Sequence, residues 1–175
     1  GITKFIKTFD ELLALGLHSP DDQGEGYGND VYGYYVLAKD IDGQGAFTTP
    51  GYNYGQSYFQ GTLDGNGYTV KNFTAGQCGI FGGMMNATVK NINFDFASVY
   101  TKSNDAGWNY SALLANKAKN VVFENVNARF LGYQAVSGDV APFFKGTLVG
   151  EVSENVTYRN VTIDLSLCTD GFVAS

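Results

Sequence analysis

Four times along the chain the same eight-residue phrase returns: an apolar-x-apolar run, a charged residue followed by asparagine, then a second apolar-x-apolar run. It reads Tyr68-Thr69-Val70-Lys71-Asn72-Phe73-Thr74-Ala75, then Ala87-Thr88-Val89-Lys90-Asn91-Ile92-Asn93-Phe94. The later copies run from Val121 to Ala128, with Glu124-Asn125 at the centre, and from Val156 to Ile163, with Arg159-Asn160. Strand side chains alternate faces, so residues two apart point the same way, and the charged-Asn pair breaks that parity. Each phrase is therefore two short strands joined by a sharp bend. Asparagine tolerates left-handed backbone angles better than other residues with a side chain, and its amide can bond a neighbouring backbone or a stacked amide above it. The expected consequence is coil stacked on coil, with Asn72, Asn91, Asn125 and Asn160 as a vertical ladder.

The ladder positions are separated by 19, 34 and 35 residues. A preceding element recurs as Gly61-Thr62-Leu63, Gly79-Ile80-Phe81, Ala112-Leu113-Leu114 and Gly146-Thr147-Leu148, which makes a third strand per turn. The shortest spacing reads as a bare coil. The longer ones carry insertions of about fifteen residues near 97–109 and 129–143, leaving successive coils at equivalent points. The crossover rule for parallel strands makes the winding right-handed.

Residues 5–16 read differently. Thr8-Phe9-Asp10-Glu11 has capping-box spacing, Leu12, Leu13 and Leu15 follow, and Gly16 suits a helix stop. A short helix there would close the lower end of a stack, where open core and unpaired edges need cover. The division expected is one domain over 1–175, with a capping helix over 5–16, acidic Tyr- and Gly-rich entry loops and a strand over 17–58, repeated coils over 59–167 and a tail over 168–175. The fold class is all-β, a right-handed parallel β-helix of about four to five coils with that short N-terminal helix.

The run Tyr35 to Asp42, then Phe59-Gln60-Gly61-Thr62-Leu63-Asp64-Gly65-Asn66-Gly67-Tyr68-Thr69-Val70, then Gly79 to Gly82, resembles the opening of GLUG-type β-helix modules. Those modules belong to the broad pectin-lyase-like solenoid group and occur in bacterial surface and adhesion proteins. The resemblance spans roughly 5–165, and its most specific phrase, Phe59 to Val70, marks a turn-rich coil rather than a catalytic centre. It implies a module on a cell surface, secreted, or on a phage virion. The later copies depart from it, with Ala112 and Ala115 in place of glycine.

Charge narrows the chemistry. Net charge is −6, and all of it precedes Gly65: nine acids and three lysines up to Asp64, then eight acids and eight basic residues. Nucleic acid and anionic membrane surfaces both require clustered Lys and Arg, so neither is an expected partner. No apolar run approaches a membrane span and no signal peptide is visible; a start at Gly1 suits a processed protein or a piece of a longer one. Cys78 and Cys168 match no metal spacing and are read as buried free thiols, or as a disulfide between distant coils in an oxidising compartment. The sole histidine, His18, sits beside a loop and is read as surface. Polysaccharide lyases and hydrolases need grouped carboxylates, whereas the acids after Gly65 stand singly, so no catalytic residue is assigned. Glu124 and Arg159 are read as outward neighbours, stacked with Lys71 and Lys90. Asp40 and Asp42 are the calcium candidates, without any recognised calcium-loop spacing, and no cofactor is expected. Five Asn-x-Ser/Thr triplets, at Asn72, Asn86, Asn109, Asn155 and Asn160, follow from strand Thr after bend Asn and are read as accidental.

Tyrosine and tryptophan offer rigid contact area with a polar tip, or else pack under loops. The contact candidates are Trp108, Tyr110, Tyr100, Tyr133, Tyr52 and Tyr54. The function expected is a non-enzymatic extracellular, cell-surface or virion scaffold whose lateral loops adhere to a glycan or protein partner. Two alternatives stay open: a small carbohydrate-active enzyme, and an architectural segment whose C-terminal coil near Leu165 to Leu167 stacks on neighbouring structural subunits.

Overall fold

A computed structural model describes residues 3–16, 32–48, 58–75, 79–101, 110–135 and 144–168. The strands are β1 (Thr3–Ile6), β2 (Tyr34–Leu37), β3 (Ile41–Thr48), β4 (Thr62–Asp64), β5 (Thr69–Ala75), β6 (Gly82–Thr101), β7 (Tyr110–Ser111), β8 (Ala115–Ala135), β9 (Phe144–Lys145) and β10 (Val149–Asp164). One helix, α1 (Phe9–Leu13), runs into a 3-10 turn at Ala14–Gly16. Among the described residues every strand pairing is parallel. The fold is all-β and compatible with a parallel β-helix.

The register shows how the stack is built. On the first wall Thr3, Tyr34, Thr62, Thr88, Val122 and Thr157 lie one above another, which makes six levels rather than the four to five expected. Pairing therefore begins at Thr3, well before Phe59, where the repeat becomes visible in sequence. The inward column beside it is Tyr35, Leu63, Val89, Phe123 and Tyr158, over Lys4 at the lowest level. The second wall stacks Ile41, Val70, Phe94, Ala128 and Ile163, and the third Phe73, Ala97 and Phe130. From level two to level five the first-wall column is fully buried. Aromatic rings interlock within this core, with Phe59 stacked on Phe81 at 4.6 Å and Phe73 against Phe94 at 6.3 Å.

The long ribbons turn corners at asparagine, as the parity break predicts. Asn72, Asn86, Asn91, Asn120, Asn125, Asn155 and Asn160 all have φ between 51° and 57°. Other residues with a Cβ pay about 1–2 kcal/mol there, so a corner that recurs on the upper levels selects Asn.

Two further expectations need correction. Asn72 is not in the column of Asn91, Asn125 and Asn160, because Lys71 pairs with Asp95 and places Asn72 one corner further round. The corner beneath Asn91 belongs to Asp64-Gly65, where Asp64 pairs with Lys90 and any Cβ on Gly65 would collide with the Asn91 carbonyl. The dipeptide misleads because every left-handed corner favours Asn, whichever corner it is. The helix is also shorter than 5–16: residues 3–6 are strand, and Thr8 starts the helix at Phe9 by accepting from the Glu11 N–H at 3.1 Å. Glu11 reaches back to the Lys7 N–H at 3.3 Å, a shifted capping box. Leu12 and Leu15 are buried, Phe9 packs on Phe73 at 5.5 Å, and Gly16 lies against the Ile80 carbonyl, so the helix fills the lower core.

Candidate functional site

Past the second bend, strands β5, β6, β8 and β10 present two outward columns that alternate with the buried Val70, Phe94 and Ala128. The first column is Thr69, Asn93, Asn127 and Thr162; the second is Lys71, Asp95, Arg129 and Asp164, with Asp42 beneath. Between them runs a groove of about 300 Å³ lined by Thr69, Asn93, Asp95, Asn127, Arg129, Thr162 and Asp164. Its floor is sheet backbone, so the polar groups are held by the core behind them rather than by a loop.

The groove is ordered by its own bonds. Asn127 donates from Nδ2 to Asn93 Oδ1 at 2.9 Å, and Asn93 donates to the Gly67 carbonyl at 3.1 Å. Arg129 grips Asp95 with two parallel bonds, Nε to Oδ1 at 2.7 Å and Nη2 to Oδ2 at 3.0 Å. That bond to Asp95, reinforced by the charges of Asp95 and Asp164, raises the Arg129 pKa above its ordinary value. The Asp164 carboxyl is held below the usual carboxylate range by side-chain and backbone bonds from Ser166 and by Arg129. The arrangement offers fixed donors and acceptors and a guanidinium flanked by carboxylates.

Two amide ladders back the neighbouring corners. Asn160 donates to Asn125 at 2.8 Å, Asn125 to Asn91 at 3.0 Å, and Asn91 to Asp64 Oδ1 at 3.3 Å. A second ladder, missed in the sequence reading, runs Asn155 to Asn120 at 2.6 Å and Asn120 to Asn86 at 3.3 Å. Its signal was there: an asparagine stands five residues ahead of Asn91, Asn125 and Asn160 alike. In the sequence Asn86 and Asn155 stand out only as the heads of glycosylation triplets.

An aspartate starts the first ladder. Asp64 Oδ1 also accepts from the Asn66 N–H at 2.8 Å while its Oδ2 accepts from the Tyr34 hydroxyl at 2.8 Å. Partial burial pushes the Asp64 pKa up, but the bonds from Asn66, Tyr34 and Asn91 and the Lys90 charge outweigh it, and the net shift is downward. Asp42 repeats the device with the Gln44 N–H at 2.8 Å and Asn72 at 3.2 Å, and its pKa is likewise lowered, chiefly by the Gln44 bond. Asp40 accepts from the Thr69 N–H at 2.8 Å. Both calcium candidates thus spend an oxygen on structural bonds, and among the described residues no three His, Cys, Asp or Glu side chains gather into a metal-sized cluster.

Of the contact candidates, Trp108, Tyr52 and Tyr54 lie outside the described residues, as do His18 and Cys78. Tyr100 lies next to the end of β6, opposite Gln134, Tyr133 lies opposite Val99 one step away, and Tyr110 opens β7 opposite Phe144. The two insertions depart from register partners, Thr101 and Ala135, and return at Tyr110 and Phe144, which are partners again. Glu124 and Arg159 are neighbours as expected, in the column of Lys90, whereas Lys71 belongs to the groove column. Cys168 is a free thiol whose Sγ donates to the Phe130 carbonyl at 3.5 Å, and burial raises its pKa.

No family model, curated protein or solved structure matches the chain.

Proposed function

We propose that the chain is a right-handed parallel β-helix of the GLUG type that works without catalysis, as a rigid extracellular or virion-surface scaffold holding a polar groove and lateral insertions against a glycan. The observation that carries this reading is the groove between the Asn/Thr column and the Asp/Arg column. Planar amides, hydroxyls and a carboxylate-braced guanidinium, fixed at strand spacing on a sheet, suit a run of sugar hydroxyls, because the ordering cost is met before the ligand arrives. Right-handed winding follows from the crossover preference of parallel strands. Departure of both insertions from one register position supports a shared lateral face.

An acid–base reading gains no support from these groups. Asp42, Asp64 and Asp164 are all shifted toward ionisation and Arg129 toward retaining its proton, the opposite of what a general acid and a general base need.

Retention on an immobilised glycan panel tests the proposal. Asn127→Ala combined with Arg129→Ala should lower retention at least about tenfold with little change in melting, since both side chains face outward. Retention equal to that of the unaltered chain would overturn the assignment of the groove, and retention lost only in Trp108→Ala would move the contact to the insertion.

A further inference from the structure

The upper end of the stack is built as an unfinished sheet. Among the described residues β10 pairs with β8 alone, leaving one edge of its backbone without a ladder. Its inward side chains Val156, Tyr158, Val161 and Ile163, with Leu165 after them, pack on the core from one side only, and Tyr158, stacked on Phe123 at 5.3 Å, is 49% exposed. Open edges and apolar faces are what natural sheets normally blunt.

The outward charges of this level belong to columns that alternate in sign. One column reads Asp64, Lys90, Glu124, Arg159; another reads Asp42, Lys71, Asp95, Arg129, Asp164; a third pairs Lys119 with Glu154 at 3.8 Å. Opposite charges directly across strands favour pairing and like charges oppose it. The top level therefore presents a code of negative, positive, negative at Glu154, Arg159 and Asp164, interrupted by Asn155 and Asn160, each of which donates downward to the amide below.

We infer that β10 receives a parallel coil of complementary sequence rather than a second copy of this chain, with Lys or Arg opposite Glu154, Asp or Glu opposite Arg159, Lys or Arg opposite Asp164, and asparagines at both bends. A second copy of this chain fits badly in either orientation. Paired antiparallel about Arg159, it would set Arg159 on its own equivalent and Glu154 on Asp164. Stacked head to tail, its lowest level would offer Phe5 in the Arg159 column, Asp42 in the Asp164 column and the charged Lys4 in the apolar inward column.

The test uses the full chain and two labelled synthetic peptides that copy residues 152–165. One keeps the native charges; the other carries Glu154→Lys, Arg159→Glu and Asp164→Lys. Fluorescence anisotropy should give at least about tenfold tighter binding of the charge-reversed peptide, a preference that shrinks as salt rises. The chain variant Glu154→Lys with Arg159→Glu should weaken that preference or turn it toward the native-charge peptide, and Tyr158→Lys should abolish binding of both. Equal affinity for the two peptides, or binding of neither, overturns the inference. Sedimentation showing that the chain alone dimerises, and that Tyr158→Lys abolishes the dimer, overturns it in favour of a second copy.

Discussion

The two ends of the stack solve the same problem in opposite ways. At the lower end Lys4 occupies the inward column beneath Tyr35, a charge that an added strand would have to bury, and α1 with the 3-10 turn after it places Leu12 and Leu15 in the core. At the upper end, among the described residues, the same column stops at Tyr158 and the neighbouring one at Ile163, apolar groups that no further level covers. One edge is protected against growth and the other is shaped to accept it. The difference teaches that a repeating core has a direction, set by a few terminal residues rather than by the repeat itself.

The sharpest way to break this contrast is to truncate a core side chain at each end. Leu12→Ala removes a fully buried side chain and should cost about 2–5 kcal/mol in urea unfolding. Ile163→Ala, from a partly buried position on the top level, should cost about 1 kcal/mol or less, because little area leaves water there on folding. Equal costs would mean that the upper end is enclosed as completely as the lower.

A smaller effect separates the middle of a ladder from its end. Asn125→Ala loses an acceptor to Asn160, a donor to Asn91 and the residue type suited to φ 53°, for about 2–3 kcal/mol in sum. Asn160→Ala loses one bond and the same backbone preference and should cost about 1 kcal/mol less. Asn125→Gly keeps the corner and isolates the amide bonds, so thermal melts of the three variants separate conformation from hydrogen bonding.

The smallest effect is in acid. Asp42, Asp64 and Asp164 have folded values below the ordinary carboxylate value, so the stability they contribute is complete above about pH 4 and is lost as pH falls through the lowered values. Melting temperature should therefore drop as pH falls below about 4, and Asp64→Asn should drop less steeply. A variant as acid-sensitive as the unaltered chain would show that Asp64 does not anchor its ladder.

Much of the scaffold was legible in the residues. Parity across Lys90-Asn91, Glu124-Asn125 and Arg159-Asn160 located three corners, and the capping pattern at Thr8 and Glu11 marked a helix there, although the range 5–16 began it four residues too early. The groove was not legible, because Asn93 and Asn127 or Asp95 and Arg129 are 34 residues apart and become neighbours only when strand register is set. The early levels escaped notice for a related reason. Their corners are made by Asp42-Gly43 and Asp64-Gly65, where a carboxylate accepts the bond from the amide above and glycine admits the close backbone, so the asparagine signature is missing.

By itself the sequence determined the parallel, corner-turning strand and the residues that face inward, because alternation and left-handed tolerance are local properties of the backbone. Which corner lies over which, and hence the alternating charge columns, the groove and the open upper edge, was decided only by tertiary structure. Levels of unequal length bring distant residues together through core packing, and no local rule counts the residues that leave one level and return on the next.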